Sequence, residues 1–407
     1  MNAILEALLL QAGYNTALVC IGAALLGAAA GAIGAFVLLR RRSLATDAAG
    51  HATLPGLALA FIILALLTGD GRWLPGLMIG ASCSAALGLF TVHWLSMRTR
   101  LKEDAAIGMV LSVFFGAGIV LMTVIQTLQT GRQAGIASYL LGSAAGMLRS
   151  EAELIALMAL LTALSVFALR RPLAMLCFDP DYASVLGLRV RLMDLALSGI
   201  LLLVVVASLK VVGLVLSVAL SIMPAVAARF WTNRVHLLVP ISAGIGAAGA
   251  YTGAALSSTA PSLPTGAIIV LTLFLLFLLS MLLAPARGVL ATFIRHQLFR
   301  RRVHLRQGLL SLNRGEAIYD GLTLRLLRRR GWIRRDGVAT PAGHLAANAA
   351  ARDEALWALY RRLNPGSAAL AQYHRILPVR EALPQDTVQE LESQFARETG
   401  FPQPHRA

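Results

Sequence analysis

RRRSLATDAAGHATLPGLAL (residues 40–59) joins two long apolar segments of the chain through a short run of arginines. Asp47 and His51 lie four residues apart in it, so a helix would place them on one face. Ionisable side chains in a membrane helix are costly, and they usually face a polar pathway. The stretch therefore predicts a membrane protein with a polar site between its helices.

The composition of the whole chain agrees with a membrane fold. Of 407 residues, 57% are hydrophobic and 14% are charged, and the mean hydropathy is +0.71. A helix that crosses a bilayer needs about 20 mostly apolar residues. The apolar runs are long and have no period of two, which favours helices over spanning strands. The sequence predicts an all-α polytopic membrane protein with about eight or nine transmembrane helices.

We place these helices at nine apolar segments, and we interpret the short glycine-rich segment 134–148 as re-entrant or interfacial. The predicted helices are 15–39, 50–68, 75–96, 105–128, 152–169, 192–209, 211–228, 238–257 and 265–284.

Basic residues in the predicted loops indicate the orientation. When alternate loops are assigned to one side, twelve basic residues fall on that side and four on the other. The richer side is expected to be cytoplasmic. The N-terminus is then outside and the C-terminal region inside. The richer side contains Arg40, Arg41, Arg42, Arg98, Arg100, Lys102, Arg170, Arg171, Arg189, Arg191, Arg229 and Arg234, and the other contains Arg72, Arg132, Arg149 and Lys210.

The C-terminal region differs in character. Residues 287–407 contain 20 arginines, no lysine and 10 acidic residues. We predict a transmembrane domain over 1–286, a basic linker over 287–304 and a cytoplasmic domain over 305–407. A turn at Asp336-Gly337 between two short strand-like runs indicates a hairpin flanked by helices, which is a winged-helix pattern of α+β class.

The acidic and histidine residues of the membrane region suggest metal chemistry. Asp47 and His51 offer an oxygen and a nitrogen, which suit Mn²⁺, Fe²⁺ or Zn²⁺. Alternatively, Asp47 caps a helix and His51 bonds a carbonyl group. Glu103 and Asp104 either complement a helix N-terminus or form a cytoplasmic exit for cations.

Five stretches in chain order resemble the zinc/manganese/iron permease family of ABC importers, and the resemblance covers about residues 10–290. It implies a type II ABC importer-like fold, with Asp47 and His51 lining the metal path. The stretches are LLRRRSLATDAAGHATLPGLALAF (38–61), KEDAAIGMVLSVFFGAGIVL (102–121), FDPDYASVLGL (178–188), VVGLVLSVALSIMPAVAARFWTNR (211–234) and LPTGAIIVL (263–271).

The family resemblance also implies partners. These are a cytoplasmic ABC ATPase, an extracytoplasmic metal-binding protein and a second permease subunit, in a bacterial cytoplasmic membrane. The chain has no G-x-x-x-x-G-K-[ST] loop, so we expect a transport subunit rather than an enzyme. No permanently bound cofactor is expected, and the transported ion is Mn, Zn or Fe.

Two cytoplasmic segments are candidates for the ATPase contact, and a plain interfacial loop is the alternative for each. Ser221–Leu237 combines a helix-interrupting proline with basic and aromatic residues, and Asp179–Arg191 is the second candidate. The residues singled out are Pro224, Arg229, Trp231, Arg234, Asp179 and Gly187.

The tail, over about residues 305–405, resembles the iron-dependent repressor family in LLRRRGWIRRDGVATPAGHLA (326–346) and ALPQDTVQELESQFARETGFPQPHR (382–406). The family's metal ligands are not matched, because its Glu-His pair falls near Arg380-Glu381 and its histidine after the wing falls near Glu354. His344, His374 and His405 are interpreted as surface histidines. Nucleic acid is therefore not an expected partner.

Three other functions remain open at this stage. A siderophore or cobalamin permease would share the broad architecture. A membrane-tethered, metal-responsive transcription regulator would bind DNA through the tail. A secondary transporter would use an ion gradient and no ATPase.

Overall fold

The computed structural model describes residues 6–11, 13–68, 73–127, 149–260, 263–374 and 376–399. The chain divides into two compact units, residues 1–291 and residues 292–407. The predicted re-entrant segment 134–148 lies outside the described residues, as do Arg72, Arg132 and His405.

The first unit is a bundle of apolar helices. Eight helices of the described chain are long and apolar enough to cross a membrane, and α8 is a shorter apolar helix. This confirms the predicted polytopic helical fold with about eight or nine spans. The helices are α1 (Tyr14–Leu39), α2 (Ser43–Thr68), α3 (Leu74–Arg98), α4 (Glu103–Thr127), α5 (Arg149–Phe178), the short α6 (Pro180–Val185), α7 (Val190–Val211), α8 (Leu214–Trp231), α9 (Val235–Ser257) and α10 (Thr265–Leu283).

Two helix ends differ from the sequence prediction. Helix α2 begins at Ser43, a full two turns before the predicted start at residue 50. Helix α5 continues through Pro172 to Phe178, although its prediction ended at residue 169. Polar and basic residues were taken as boundaries in both places, but tertiary packing keeps the backbone helical through them.

Small residues let α1 run through the middle of the bundle. A Cβ atom added at Gly27 would collide with the carbonyl of Gly246 in α9, and one added at Gly34 would collide with the carbonyl of Ser221 in α8. The hydroxyl of Ser242 donates a 2.6 Å hydrogen bond to the carbonyl of Gly31. Close backbone approach and interhelical hydrogen bonds replace the hydrophobic effect as the packing force inside a membrane.

The second unit holds two small apolar cores. One forms around Leu309, Leu327 and Ile333, and the other forms around Trp357, whose indole nitrogen donates to the carbonyl of Leu377 at 3.0 Å. The helices that supply these cores are α11 (Val289–Arg314), α12 (Gly321–Arg329), α13 (Pro341–Leu363), α14 (Leu370–His374), α15 (Val379–Ala382) and α16 (Gln385–Thr399).

The winged-helix prediction is not supported, because the described residues contain no β-strand. The expected hairpin is reduced to one antiparallel bridge between Ile333 and Ala339, around a turn at Gly337 with φ of +89°. Only five residues separate the bridge partners, and the turn uses most of them. The arms are too short to form a ladder, so the unit is helical rather than α+β.

Candidate metal pathway site

Helix α2 carries both candidate ligands on its first turns. The chain reverses after α1 at Arg41, which has φ of +59°, and the amide of Ala45 donates to the carbonyl of Arg42 at 3.0 Å. Asp47 therefore lies in the second turn of the helix. It is not the N-cap, which removes the alternative role considered for its carboxylate.

Asp47 and His51 lie close enough to share one ion. The Nε2 atom of His51 is 3.3 Å from Oδ1 of Asp47. If both atoms bound one ion at about 2.1 Å, they would subtend an angle of about 100° at the metal, between the octahedral and tetrahedral values. Asp47 is 37% exposed and His51 is 19% exposed, so an ion could reach the pair from one side.

The other ring nitrogen of His51 has no partner. Its Nδ1 atom is buried without a hydrogen bond among the described residues, and so is the hydroxyl of the neighbouring Thr46. A buried polar atom left unpaired costs about 1–3 kcal/mol. The ring of Phe115 in α4 packs edge-on against the imidazole at 4.9 Å between centroids. The imidazole is thus packed against an apolar ring, with Nε2 turned to Asp47 and Nδ1 buried without a partner.

Close packing on other faces of α2 fixes its position. An added Cβ at Gly56 would collide with the carbonyl of Gly80 in α3, and one at Gly118 in α4 would press on Leu54. Helices α3 and α4 thus approach α2 at van der Waals distance. The pair is therefore held on a rigid helix rather than on a loop.

The pair is too small to be a complete metal site by itself. Among the described residues, no group of three or more histidine, cysteine, aspartate or glutamate side chains is arranged to hold a metal. A transition metal in a protein takes four to six ligands. Two ligands per chain suit transient binding, or a site that other molecules complete.

An ion-pair cluster lies where α1, α2, α4 and α7 meet. Asp194 of α7 is 8% exposed and accepts two hydrogen bonds of 3.2 Å from Arg40, one from Nε and one from a terminal nitrogen. Arg42 contacts Asp194 at 3.2 Å and Glu103 at 3.1 Å. The reversal between α1 and α2 is thereby tied to α4 and α7.

The structure separates the two acidic candidates at the start of α4. Glu103 is paired with Arg42 and lines a cavity of about 190 Å³ together with His93 and Asp194. Asp104 is exposed and does not line that cavity. Only Glu103 is thus positioned to meet a cation inside the protein, and its charge is already balanced by an arginine.

The residues chosen for an ATPase contact fall into two groups. Pro224 lies inside α8 and is buried, so it does not interrupt the helix as predicted; an added Cβ at Gly246 would come within 3.4 Å of it. Arg229, Trp231 and Arg234 are exposed around the end of the same helix. Pro224 is a packing residue, and the three exposed residues form a surface.

The second candidate segment forms a helix of six residues. The Asp179 carboxylate accepts a 2.9 Å hydrogen bond from the amide of Tyr182 and caps α6, and Gly187 ends the turn that follows with φ of +84°. These two residues shape the helix, while Tyr182 and Val185 are 56% and 83% exposed on it. The apolar residues exposed on α6 were missed by sequence reasoning, which singled out the cap and the glycine.

Asp194 was also missed. It is the one carboxylate of the largely apolar helix α7, and such residues in membrane segments almost always have a partner or a function. That signal was present in the sequence, as was the run of arginines at 40–42. Their pairing is a contact across 154 residues, which one sequence does not reveal.

Comparison with known proteins places the fold in a family. The model of the ABC 3 transport family matches residues 14–284. The manganese transport system membrane protein MntC of Bacillus subtilis is 40% identical over 308 residues, which are 75% of this chain and 70% of MntC. The zinc transport system membrane protein TroC of Treponema pallidum is 37% identical over 289 residues, which are 71% of this chain and 94% of TroC.

A solved structure is also similar to this chain over the same helical bundle. The structure of PsaBC from Streptococcus pneumoniae in complex with Fab superposes with a TM-score of 0.61 at 28% identity, covering 70% of this chain and 96% of that one. The family match covers the helical bundle that holds Asp47 and His51. The chain belongs to the ABC 3 transport family.

Proposed function

We propose that this chain is the membrane subunit of an ATP-driven importer of manganese or zinc, and that Asp47 and His51 line the path of the ion. The observation that carries the proposal is the 3.3 Å pairing of these side chains on α2, beside an unpartnered imidazole nitrogen. An oxygen and a nitrogen at this separation fit either ion.

The relatives support manganese and zinc, the metals for which MntC and TroC are named. Iron, which the sequence-based expectation included, has no support from them. A siderophore or cobalamin permease has less support than an ion permease, because a bulky chelate would not use two ligands on adjacent turns of one helix. The choice between manganese and zinc is open to direct measurement.

The incomplete ligand set supports a dimeric permease. Two ligands per chain become four when a second permease subunit places a matching pair opposite the first. Four ligands of mixed oxygen and nitrogen type suit a divalent transition metal. The second subunit is proposed to be either a copy of this chain or a related permease.

We propose the orientation that the distribution of basic residues predicts. The loop that contains Arg40–Arg42 then faces the cytoplasm of a bacterium. Exposed α6 and the exposed end of α8 then face the cytoplasm, where an ABC ATPase docks. Since this chain carries no phosphate-binding loop, ATP hydrolysis is assigned to that partner. An extracytoplasmic metal-binding protein delivers the ion on the opposite side.

The second unit is proposed to regulate or assemble the importer, and a metal-sensing regulator is the weaker alternative. Glu354, which falls where a repressor histidine is expected, accepts a 2.7 Å hydrogen bond from Arg306 and one of 2.9 Å from the Tyr373 hydroxyl. Arg380 pairs with Glu392 at 2.8 Å. These contacts are structural, and they leave the repressor-type ligand positions occupied by ion pairs.

Uptake of radioactive Mn²⁺ and Zn²⁺ into proteoliposomes that contain the ATPase and the binding protein tests the proposal. Asp47→Asn and His51→Gln should each lower uptake at least about 100-fold, because each removes one ligand from the path. Both substitutions keep side-chain size, so insertion and ATPase binding should survive.

Asp104→Asn is the matched control, since Asp104 is an exposed carboxylate on the neighbouring helix; it should retain wild-type uptake. Glu103→Gln in the same series tests whether an acidic exit also contributes. Unchanged uptake in Asp47→Asn or His51→Gln would remove that residue from the path. Uptake that needs an ion gradient and no ATP would favour a secondary transporter instead.

A further inference from the structure

The first ten residues of α11 present a row of large apolar side chains to the surroundings. Val289, Leu290, Phe293, Ile294 and Leu298 are each between 48% and 58% exposed. At 100° per residue, these five side chains fall within one half of the helix circumference. The later part of the same helix instead buries apolar residues in the core of the second unit.

Three consecutive arginines, called the arginine collar below, follow this apolar face directly. Arg300, Arg301 and Arg302 are exposed, and no ion pair is recorded for them among the described residues. The sequence contains no acidic residue between Leu195 and Gly315. Positive charge around this part of α11 is therefore not neutralised along the chain.

Connectivity holds the start of α11 near the membrane surface. The span α10 ends at Leu283, and the five residues 284–288 reach at most about 18 Å. The amide of Gly288 donates to the carbonyl of Ala284 at 2.9 Å, and the amide of Arg287 donates to the carbonyl of Phe230 in α8 at 3.1 Å. The connection is thus a tight turn against the ends of two membrane helices.

We propose that residues 289–302 form an interfacial anchor that binds an anionic phospholipid surface. The large apolar side chains enter the boundary between headgroups and acyl chains, and the arginine collar binds lipid phosphates. An apolar face bordered by arginines is the signature of a helix that lies in a membrane interface. Each arginine near an anionic leaflet favours binding by about fivefold.

Lipid fits this surface better than a protein partner. A partner would have to sit within the short reach of the last span, where headgroups already are. The charge of Arg300 and Arg301 is also complementary to anionic headgroups, whereas Arg302 lines a cavity that Asp353, Glu381 and Glu392 also line. The inference does not depend on which ion the protein transports.

Spin labels on the full chain in nanodiscs test the anchor. Cys20, Cys83 and Cys177 are replaced by Ala, and single cysteines are introduced as Phe293→Cys on the apolar side and Thr292→Cys on the opposite side. In nanodiscs rich in phosphatidylglycerol, the label at 293 should be accessible to oxygen and shielded from a nickel chelate. The label at 292 should be more accessible to the chelate, and a label from Leu298→Cys should repeat the result at 293.

Charge gives the second arm of the experiment. Replacing phosphatidylglycerol by phosphatidylcholine, or introducing Arg300→Gln/Arg301→Gln/Arg302→Gln, should make the label at 293 several-fold more accessible to the chelate. Equal chelate access at 292 and 293 would show a solvated helix and overturn the proposal. Protection of 293 from both reagents would show a protein interface and overturn it as well. Identical immersion in both lipids would rule out anionic recognition.

Discussion

At the scale of single residues, Asp194 is the side chain on which the ion pairs between α1, α2 and α7 converge. It is nearly buried and binds both Arg40 and Arg42, which are themselves about one-fifth exposed. Removing Asp194 leaves Arg40 without an acidic partner and leaves Arg42 with Glu103 alone, and the loss of a partner from such a part-buried cluster costs about 3 kcal/mol. Asp194→Ala should therefore lower the apparent unfolding midpoint in detergent by several degrees.

The control for Asp194→Ala is Asp181→Ala, an exposed carboxylate on α6 without a recorded ion pair. It should leave the midpoint unchanged. A midpoint for Asp194→Ala within one degree of wild type would mean that the cluster is solvated and contributes little. Restored stability in Asp194→Glu would show that charge, rather than packing volume, is the contribution.

Glu354 gives the second unit a defined acid sensitivity. Its burial raises the pKa of the carboxyl, but hydrogen bonds from Arg306 and Tyr373 outweigh burial and hold that pKa below its usual value. A carboxyl with a lowered pKa in the folded state stabilises it above the unfolded pKa of about 4.3, and the contribution disappears as pH falls through the folded pKa. Stability from Glu354 is thus present at neutral pH and lost in acid.

Hydrogen exchange of α13 peptides in the full chain measures this contribution. At pH 6, Glu354→Gln should exchange faster than wild type, and the difference should shrink as the pH falls below the unfolded pKa and vanish once the pH is below the lowered pKa of the folded state. Glu390→Gln, an exposed carboxyl on α16, should match wild type at both pH values. A difference that persists unchanged in acid would assign the effect to packing rather than to charge.

The sequence predicted the local side-chain pair of the candidate site but not the long-range ion pairs. The spacing of Asp47 and His51 is local, so one helical turn was enough to bring them together. Asp194 and Arg40 meet across the bundle, and Glu354 meets Arg306 across the tail. Such contacts depend on helix packing, and residue type alone did not indicate them.

At the scale of elements, α6 is a small helix that exposes two large side chains, Tyr182 and Val185. Its cap and terminal glycine fix its shape, while Val185 projects into solvent. If α6 docks in an ATPase groove, Val185→Asp should lower co-purification of the ATPase about tenfold or more and uncouple hydrolysis from metal. Burying an unpaired charge in such a contact is strongly unfavourable.

Leu263→Asp is the control for Val185→Asp. Leu263 is also an exposed apolar residue, but it lies between the C-terminal end of α9 and the start of α10. It should leave ATPase binding intact. The double variant Arg229→Glu/Arg234→Glu tests whether the ATPase docks at the end of α8 instead. If ATP hydrolysis stays coupled to metal in Val185→Asp but is uncoupled in the arginine variant, the docking surface is at α8 and not at α6.

Elements were the most predictable level of the fold. Apolar runs of about 20 residues located nine of the ten helices described in the first unit, all but the six-residue α6, because a membrane leaves few alternatives to a helix. Helix ends were less predictable: α2 begins seven residues before its predicted start at residue 50, and α5 extends nine residues past its predicted end at residue 169. The predicted wing failed because a sequence pattern for strands does not show whether the arms are long enough to pair.

At the scale of the whole molecule, the two units raise the question of which one is needed for transport. The family match ends at residue 284, and the 289 residues matched in TroC make up 94% of that protein. A zinc permease of that size has little length left for a second unit. The first unit of this chain should therefore suffice for the transport cycle itself.

A chain ending at Arg295 tests this directly. It keeps every apolar span and the start of α11, and it removes the arginine collar and the cores around Leu327 and Trp357. We expect it to insert, bind the ATPase and import metal, with a changed rate because the anchor and the second unit are lost. Import by the full chain measured in the same proteoliposomes is the reference.

A truncated chain that inserts and binds the ATPase but imports nothing would make the second unit part of the cycle. Tight binding of Mn²⁺ by the full chain that survives Asp47→Asn/His51→Gln but disappears on truncation would instead locate a metal sensor in the tail.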